Sequence, residues 1–331
     1  MLKFDEAQKI QSIRGALALR GEIEAIVDAA LERGVRNLCW LGIGGTWASA
    51  QQAVCHMKER TGMETFAINA AEYAVVGDLR IGRGSFVVFS SVSGTTSEVV
   101  AAVERAKQAG AMVLGFVDDA DALLARLADY CISYPGNEQL KFFMTADRFL
   151  DRAGELPEYA EMYARFDRSL PEALVSVEKA ADPFAAAFAA AHKDDPLHYF
   201  VGAGTLWGAT YSYAMCFWEE MHWLRSKAVH AAELFHGTLE VIGEDTPVTL
   251  FIGEDAQRPL GERAARFLAK VNRNYTVIDT RDYELPGIDT AFRGAVSHLV
   301  MRAVTGRIDV HLEALTGHDM RLRRYYRKLN Y

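Results

Sequence analysis

The chain has 331 residues, of which 50% are hydrophobic and 24% are charged, so it is long enough for two domains of ordinary size. Its net charge of −8 argues against nucleic acid or an anionic membrane as the main partner, and basic residues cluster only near the C-terminus. No run reaches the roughly 18 apolar residues of a membrane span, and the N-terminal segment lacks the pattern of a signal peptide. We therefore expect a cytoplasmic protein.

The four cysteines lack the paired spacing of a zinc site or of a disulfide framework. They are Cys39, Cys55, Cys131 and Cys216. Because each stands in apolar surroundings, we expect buried and reduced thiols.

The first half of the chain alternates strand and helix patterns after an N-terminal helical segment. Residues 3–33 have apolar side chains at helical spacing, with a break near Gly21 and an end at Gly34. Strands are then predicted at 37–42, 65–68, 85–90, 112–116 and 130–134, and helices at 48–60, 99–109 and 120–128. Continuous apolar runs such as SFVVFS are typical of parallel strands that are covered on both faces.

A glycine-rich turn joins the first predicted strand to the helix that follows it. The sequence GIGGTWAS at 42–49 offers backbone N–H groups at a helix N-terminus, which is an arrangement that binds anions. Its spacing is not that of a dinucleotide fingerprint or of a Walker loop, so the motif alone is weak evidence.

A second loop, between residues 91 and 97, carries five hydroxyl side chains in seven positions and leads into a helix. Hydroxyls and N–H groups at a helix N-terminus favour a phosphate ligand, because the helix dipole adds to their attraction. The alternative is a capping box in which a serine or threonine pairs with Glu98, and this would explain about half of these residues without any ligand.

Residues 136–190 have helical patterns and no strand signal, after which the first pattern starts again. LHYFVGAGTLWG at 197–208 resembles NLCWLGIGGTWA at 37–48, with Gly202 in the place of Gly42. Strands at 247–252 and 275–279 and a helix at 260–271 complete the repeat. The repeat predicts two pseudo-symmetric α/β domains, each a parallel sheet flanked by helices in three layers, and we place them at 1–185 and 186–331.

The two copies differ in their polar residues. The second copy has Gly253–Ala256 where the first has the hydroxyl loop, and the first copy has no counterpart of the carboxylates and imidazoles at 219–242. We therefore expect the first domain to bind an anion and the second domain to supply groups for proton transfer.

Glu219 and Glu220 end an apolar, aromatic run, so at least one of the two carboxylates should be partly buried. A carboxylate removed from water has a raised pKa, which suits it to proton transfer near neutral pH. On a helix, neighbouring side chains diverge by about 100°, so only one of the pair is expected to face a given site. His236 follows sixteen residues after Glu220, in a Phe-His-Gly turn after a short predicted helix.

Two alternatives stay open for these residues. A histidine in apolar surroundings is often structural. A metal site is also conceivable, because Glu219 and His222 stand three residues apart, as do His230 and Glu233, which is a spacing used by carboxylate sites in helical bundles. No further residues complete such a set, so no metal is expected.

Four segments carry a resemblance to a known family. They are GIGGTWAS, SSVSGTTSE at 90–98, EEMHWLRSKAVHAAELFHGTLEVI at 219–242, and RRYYRKLNY at 323–331. With these motifs the chain resembles double sugar isomerase (SIS) domain proteins, and among them the fructosamine-6-phosphate deglycases that act on fructoselysine or fructose-aspartate 6-phosphate. The interval between Glu220 and His236 also resembles that of the isomerase domain of glucosamine-6-phosphate synthase.

The resemblance implies a role for each of several residues. Glu220 would be the base at C1 and C2 of an open-chain sugar, and His236, which a partner subunit can supply, would be the acid. The residues implied in substrate binding, several of them at the phosphate, are Gly45, Thr46, Ser91, Ser93, Thr96 and Glu233. The family pattern is not complete, because Thr238 stands where proline is usual and Val92 stands where the synthase has a polar phosphate contact.

The implied function is a deglycase that converts a fructosamine 6-phosphate into glucose 6-phosphate and a free amine, without a metal or organic cofactor. The alternatives are an aldose-ketose phosphosugar isomerase or aminosugar-phosphate deaminase, and a non-catalytic phosphosugar-binding regulator. The aromatic surface of residues 207–224 exceeds what one small sheet can cover. We therefore expect a homodimer or a dimer of dimers.

Overall fold

The computed structural model describes residues 1–329. Its helices are α1 (Glu6–Ala18), α2 (Arg20–Glu32), α3 (Gly45–Lys58), α4 (Ala70–Val76), α5 (Ser97–Gln108), α6 (Leu123–Leu127), α7 (Glu138–Arg152), α8 (Tyr159–His192), α9 (Thr205–Ser212), α10 (Arg258–Val271) and α11 (Arg293–Thr316). Its strands are β1 (Asn37–Gly42), β2 (Glu64–Asn69), β3 (Ser85–Ser91), β4 (Met112–Val117), β5 (Tyr130–Ile132), β6 (His198–Gly202), β7 (Ser226–His230), β8 (Val248–Ile252) and β9 (Tyr275–Asp279).

Contacts divide the chain into two compact units. The first unit is Ala7–Pro171, and the second combines Met1–Glu6 with the chain from Glu172 onward. The division falls inside α8, at a proline that cannot donate a helical hydrogen bond. The predicted boundary at residues 185 and 186 lies in the same helix, and the division of labour between the two domains stays a prediction.

The first unit contains a five-stranded parallel sheet in the order β2-β1-β3-β4-β5. All seven residues of β3 are buried, which confirms the prediction of a strand covered on both faces. One face of this strand contributes Val87 and Phe89 to a core cluster that α5 completes with Val99 and Val103.

The second unit contains a four-stranded parallel sheet in the order β7-β6-β8-β9. Strands β6, β8 and β9 take the places of β1, β3 and β4, so the predicted repeat is confirmed at the level of strand order. Its core includes Val201 of β6, Leu250 of β8 and Leu268 of α10, each fully buried.

Several elements differ from those predicted. Strand β7 has the mixed sequence SKAVH and replaces the short helix expected before His236. The helix predicted at 120–128 is limited to α6, and the strand predicted at 130–134 is limited to β5. Helix α11 has no clear apolar stripe, because it buries paired polar residues such as Arg307 and Asp309 beside its apolar ones.

All four cysteines are free, as expected. Cys39 and Cys55 are buried, whereas Cys131 and Cys216 are only half-buried, so the expectation of burial is correct for two of the four. Among the described residues, no helix is both long and apolar enough to cross a membrane.

Candidate active site

The first candidate region is the C-terminal edge of the sheet in the first unit. Strand β1 lies between β2 and β3, so the chain leaves β1 toward one side and returns on the other. The edge between β1 and β3 is therefore a topological switch point, which is where open α/β sheets bind their ligands. Both the glycine turn and the hydroxyl loop lie at this edge, because they follow β1 and β3 directly.

The glycine turn brings the start of α3 against the end of β1. A Cβ on Gly42 would lie 2.5 Å from the backbone nitrogen of Trp47, so only glycine allows this close approach. The Thr46 hydroxyl accepts a hydrogen bond from the Ile43 N–H and donates one to the Ile43 carbonyl, each at 3.0 Å. The predicted phosphate ligands Gly45 and Thr46 thus form the first turn of α3, with the threonine side chain fixing the loop.

The hydroxyl loop has one internal residue and several exposed ones. Ser91 is buried, and its hydroxyl accepts a hydrogen bond from the Gly94 N–H at 3.0 Å. Ser93 and Thr96 are half-buried and Thr95 is exposed, so these three side chains face the solvent at the N-terminus of α5. Of the predicted phosphate ligands in this loop, Ser91 makes a hydrogen bond within the turn, whereas Ser93 and Thr96 are partly accessible.

The capping alternative for this loop is not what the structure contains. Thr96 occupies the N-cap position of α5 but makes no side-chain capping bond within residues 1–329. Glu98 instead accepts a hydrogen bond from the Ser97 hydroxyl at 2.8 Å. A capping box therefore does not account for the hydroxyl groups of this loop.

The equivalent edge of the second sheet is occupied by a carboxylate of the protein itself. Asp255, in the loop after β8, accepts hydrogen bonds from the backbone N–H and the hydroxyl of Thr205, both at 2.7 Å. A Cβ on Gly204 would collide with this carboxylate, whereas a Cβ on the matching Gly44 would meet nothing within 4 Å. The helix N-terminus at this edge is therefore open in the first unit, whereas Asp255 occupies the equivalent position in the second unit.

The structure adds two charged residues near the open edge that the sequence analysis missed. The carboxylate of Glu138 in α7 lies beside the hydroxyls of Ser49 and Ser90, and desolvation raises its pKa. The buried Lys141 donates to the Tyr134 carbonyl at 2.7 Å, and desolvation lowers its pKa. No local motif marks these residues, because they come from a helix that starts about 40 residues after the hydroxyl loop.

The second candidate region surrounds Glu220 in the second unit. Helix α9 continues as a π-helix over Tyr213–Glu219, and the Glu220 N–H donates to the Met215 carbonyl at 3.0 Å, five residues back. Such wider turns occur often at functional sites and rotate the side chains that follow. Glu219 and Glu220 both line one cleft of about 540 Å³, so the expectation that Glu219 points away from the site of Glu220 is wrong.

Glu220 has a charged partner within this cleft. The Arg323 Nε donates to Glu220 Oε1 at 2.8 Å, and the carboxylate side chain is 38% exposed. Partial burial of one carboxylate of the pair is therefore confirmed, but its surroundings are ionic rather than purely apolar. No sequence pattern predicts this contact, because the two residues lie 103 positions apart.

A strained backbone residue stands at the entrance to the same cleft. Trp223 has a φ of 59°, which is unfavourable for a bulky side chain and costs on the order of 1–3 kcal/mol. Its ring packs against His318 at 4.3 Å between centroids, and the Arg324 guanidinium lies over it at 4.1 Å. Strain of this kind is concentrated at ligand sites, so it adds to the case for this cleft.

The structure does not bring His236 into the cleft of Glu220. Glu219 accepts a hydrogen bond from Ser226 at the start of β7, whereas His236 lies exposed in the turn after its end. A five-residue strand spans roughly 13 Å, so the strand separates the two groups within one chain. Glu233, the remaining predicted substrate contact, is exposed in the same turn as His236.

The two residue pairs considered as metal ligands lie in different surroundings. His222 is buried 3.4 Å from Asp309, while Glu219 is exposed. The ring of His230 packs on Trp207 at 5.2 Å, and its Nδ1 accepts a hydrogen bond from the backbone. The structure therefore pairs His222 with an aspartate of α11 rather than with Glu219.

In the part of the chain that the structure describes, one group of three residues has the spacing of a metal site: His192, Asp195 and His198. Both histidines place Nδ1 2.8 Å from the same carboxylate oxygen, and His198 Nε2 is 2.8 Å from the Thr249 hydroxyl. Desolvation lowers the pKa of His198 to about 4, so its ring is neutral near pH 7. Hydrogen bonds within the protein thus explain why these three side chains lie close together.

Comparison with known proteins finds relatives in which these features recur. Residues 33–146 match the SIS domain. The chain is 28% identical over 319 residues to the fructosamine deglycase FrlB of Bacillus subtilis (strain 168), which covers 94% of this chain and 97% of that protein. It is 25% identical over 262 residues to the fructoselysine 6-phosphate deglycase of Escherichia coli (strain K12), which covers 78% and 77%.

The structural comparison agrees with the sequence comparison. A crystal structure of a Bacillus subtilis protein described as a phosphosugar isomerase matches 96% of this chain and 99% of its own, with a TM-score of 0.89 and 26% identity. These similarities confirm the resemblance that the four motifs predicted, and the α/β fold with it.

Proposed function

We propose that this chain, which contains an SIS domain and is similar to phosphosugar deglycases and isomerases, cleaves a fructosamine 6-phosphate, the Amadori product of an amino acid, to glucose 6-phosphate and a free amine. The observation that carries this proposal is the cleft of about 540 Å³ beside Glu220. It falls in the size range of small-molecule sites. A deglycase needs such space for the amine half of its substrate, whereas an isomerase of an unsubstituted phosphosugar does not.

In the proposed reaction, the 1-amino-1-deoxyketose loses a proton from C1 to Glu220 and gains a proton at C2, which converts it to an aldimine. Water then adds at C1, and the C1–N bond breaks to release glucose 6-phosphate and the amine. His236 acts as the acid that exchanges protons with the sugar oxygen. General acid–base groups of this kind each contribute about 10²- to 10⁴-fold to the rate.

The open edge of the first unit is proposed to hold the substrate phosphate. The hydroxyls of Ser93 and Thr96 and the backbone N–H groups at the starts of α3 and α5 would donate hydrogen bonds to it. This assignment suits an acidic protein, because helix dipoles and N–H groups bind an anion without a strongly basic surface.

We further infer that His236 acts in the site of a partner subunit within a homodimer. Strand β7 separates His236 from the cleft of Glu220 in one chain, and the side chain of Trp223, three residues after Glu220, is 36% exposed. A second copy would cover such a surface and would bring its own histidine.

The test is an assay of glucose 6-phosphate release from a panel of fructosamine 6-phosphates. We expect release with at least one amino-acid adduct and no conversion of fructose 6-phosphate itself. Interconversion of unsubstituted ketose and aldose phosphates, with the adducts left intact, would instead identify an isomerase.

A further inference from the structure

The cleft beside Glu220 has an excess of positive charge. Three of the residues that line it are arginines, Arg225, Arg323 and Arg324, against the two glutamates described above. The Arg225 side chain is exposed and forms no ion pair with any of residues 1–329. In a chain with a net charge of −8, this local excess favours an anionic group on whatever occupies the cleft.

The guanidinium of Arg323, which lines this cleft, uses only some of its nitrogens in hydrogen bonds. Its Nε donates to Glu220 at 2.8 Å, and its Nη1 donates to the carbonyls of Met320 and Leu322 at 2.7 and 2.9 Å. Within the described residues its Nη2 makes no hydrogen bond. Nε and Nη2 form the fork that matches both oxygens of a carboxylate, and Glu220 fills only half of it.

The segment that carries Arg323 is held at the cleft by aromatic contacts. The strained Trp223 packs on His318 and Arg324, which lie before and after Arg323 in the C-terminal segment. These contacts keep the guanidinium near Glu220 whether or not the two are paired. Arg323 can therefore exchange one carboxylate partner for another without loss of the whole segment from the cleft.

We propose that Arg323 recognises the carboxylate of the amine half of the substrate and thereby releases Glu220 for proton transfer. This inference rests on the proposed function. In an adduct of an α-amino group, the carboxyl carbon lies three bonds from C1, so it reaches Arg323 while C1 faces Glu220. In an adduct of the lysine ε-amine, the carboxyl carbon lies seven bonds from C1. The α-ammonium group next to it would then approach three arginines. The preferred substrates are therefore adducts of α-amino groups.

The experiment compares two substrates that differ only in the carboxylate: the 6-phosphates of the fructosyl adducts of glycine and of methylamine. For the wild-type enzyme we expect kcat/KM to be about 10- to 100-fold higher with the glycine adduct. In Arg323→Ala this preference should fall to near one, because kcat/KM with the glycine adduct should fall by more than kcat/KM with the methylamine adduct. Arg323→Lys keeps the charge without the fork and should give an intermediate preference.

The matched control is Arg321→Ala. Arg321 lies in the same segment, pairs with Asp319 at 2.7 Å and does not line the cleft, so the preference should be unchanged. An equal loss with both adducts in Arg323→Ala would mean a structural role, and a wild-type preference near one would also overturn the inference.

A binding measurement separates this inference from the proposed function. If neither adduct releases glucose 6-phosphate, the deglycase proposal fails, and calorimetric titration of His236→Asn with each adduct still tests Arg323. Tighter binding of the glycine adduct, lost in His236→Asn with Arg323→Ala, would support carboxylate recognition. Equal affinity for the two adducts would refute it.

Discussion

The C-terminal edges of the two sheets have the same backbone plan but differ in whether a carboxylate of the chain occupies the helix N-terminus. In each unit a strand ends in a glycine turn and passes into a helix at the switch point of the sheet. In the second unit Asp255 supplies a carboxylate to the start of α9. In the first unit the equivalent space next to Gly44 is open, and the loop after β3 at the same edge carries the half-buried Ser93 and Thr96.

The comparison shows that one copy of a duplicated unit can fill its helix N-terminus with its own carboxylate and keep the same fold. A helix N-terminus attracts negative charge from any source, so a carboxylate of the chain can take the place of a ligand phosphate. Because Asp255 occupies the helix N-terminus of the second unit, we expect the other polar residues of that unit to serve proton transfer rather than anion binding. The carboxylates at the end of the π-helix in the second unit are suited to proton transfer.

The largest expected effect concerns Glu220 and His236, the proposed catalytic pair in the second unit. Glu220→Gln keeps the size of the side chain but removes the basic oxygen, so kcat should fall by about 10²- to 10⁴-fold with little change in substrate affinity. His236→Asn should behave likewise. The matched control is Glu240→Gln, an exposed glutamate after the same turn, which should keep full activity.

Mixing the two inactive variants tests whether the pair comes from two subunits. If subunits exchange at random in an isologous dimer, half of the dimers are mixed and each has one intact site, so about one quarter of wild-type activity should return. No recovery after verified subunit exchange would contradict the partner-subunit proposal for His236.

The next largest effect is expected when a carboxylate is placed at the open edge of the first unit, as Asp255 is in the second unit. Ser93→Asp places a carboxylate where the phosphate is proposed to bind, so KM should rise on the order of 100-fold through like-charge repulsion. Ser133→Asp, an exposed position in the same unit, is the control and should leave KM unchanged. An unchanged KM in the Ser93 variant would remove the phosphate from this loop.

The reverse change opens the edge of the second copy. Asp255→Ala leaves the Thr205 N–H and hydroxyl without their partner, so the free energy of unfolding should fall by about 1–3 kcal/mol. Millimolar inorganic phosphate should restore part of the lost Tm, since an anion can enter the vacated position. The exposed Asp282→Ala is the control, and an Asp255 variant as stable as this control would show that the carboxylate is not needed there.

The smallest effect concerns Glu138 at the open edge. Burial raises its pKa, so the folded protein binds this proton more tightly than the unfolded chain does. The resulting stabilisation is complete below about pH 4.3 and is lost as pH rises through the folded pKa. Glu138→Gln removes the titration, and its Tm relative to wild type should increase between pH 4 and pH 8, on the order of 2 °C. A pH-independent difference would contradict this role of burial.

The sequence alone predicted the parts of this molecule whose signal is local. Apolar runs such as SFVVFS predict buried parallel strands, and a glycine turn followed by a helix pattern predicts the helix start at α3. The hydroxyl loop is visible for the same reason, because its residues are consecutive. Both candidate regions are therefore recognisable in the sequence.

The contacts that define the two regions could not be predicted in this way. Asp255 meets Thr205 across 50 positions and Arg323 meets Glu220 across 103, so no pattern within a short window connects them. The π-helix before Glu220 has nearly the composition of an α-helix, and the change in its turn alters which side chains share the cleft. Strand β7 was missed because its polar sequence lacks an apolar run.

The most direct test of the account is the fate of the hydrogens on C1 of the substrate. A fructosamine 6-phosphate carrying two deuterium atoms at C1 is incubated with the wild-type enzyme, and the products are analysed by mass spectrometry and NMR. Proton transfer by Glu220 predicts glucose 6-phosphate with a single deuterium at C1, together with a slower rate than for the unlabelled substrate. Fructose 6-phosphate that keeps both deuterium atoms would mean direct displacement of the amine by water and would contradict the account.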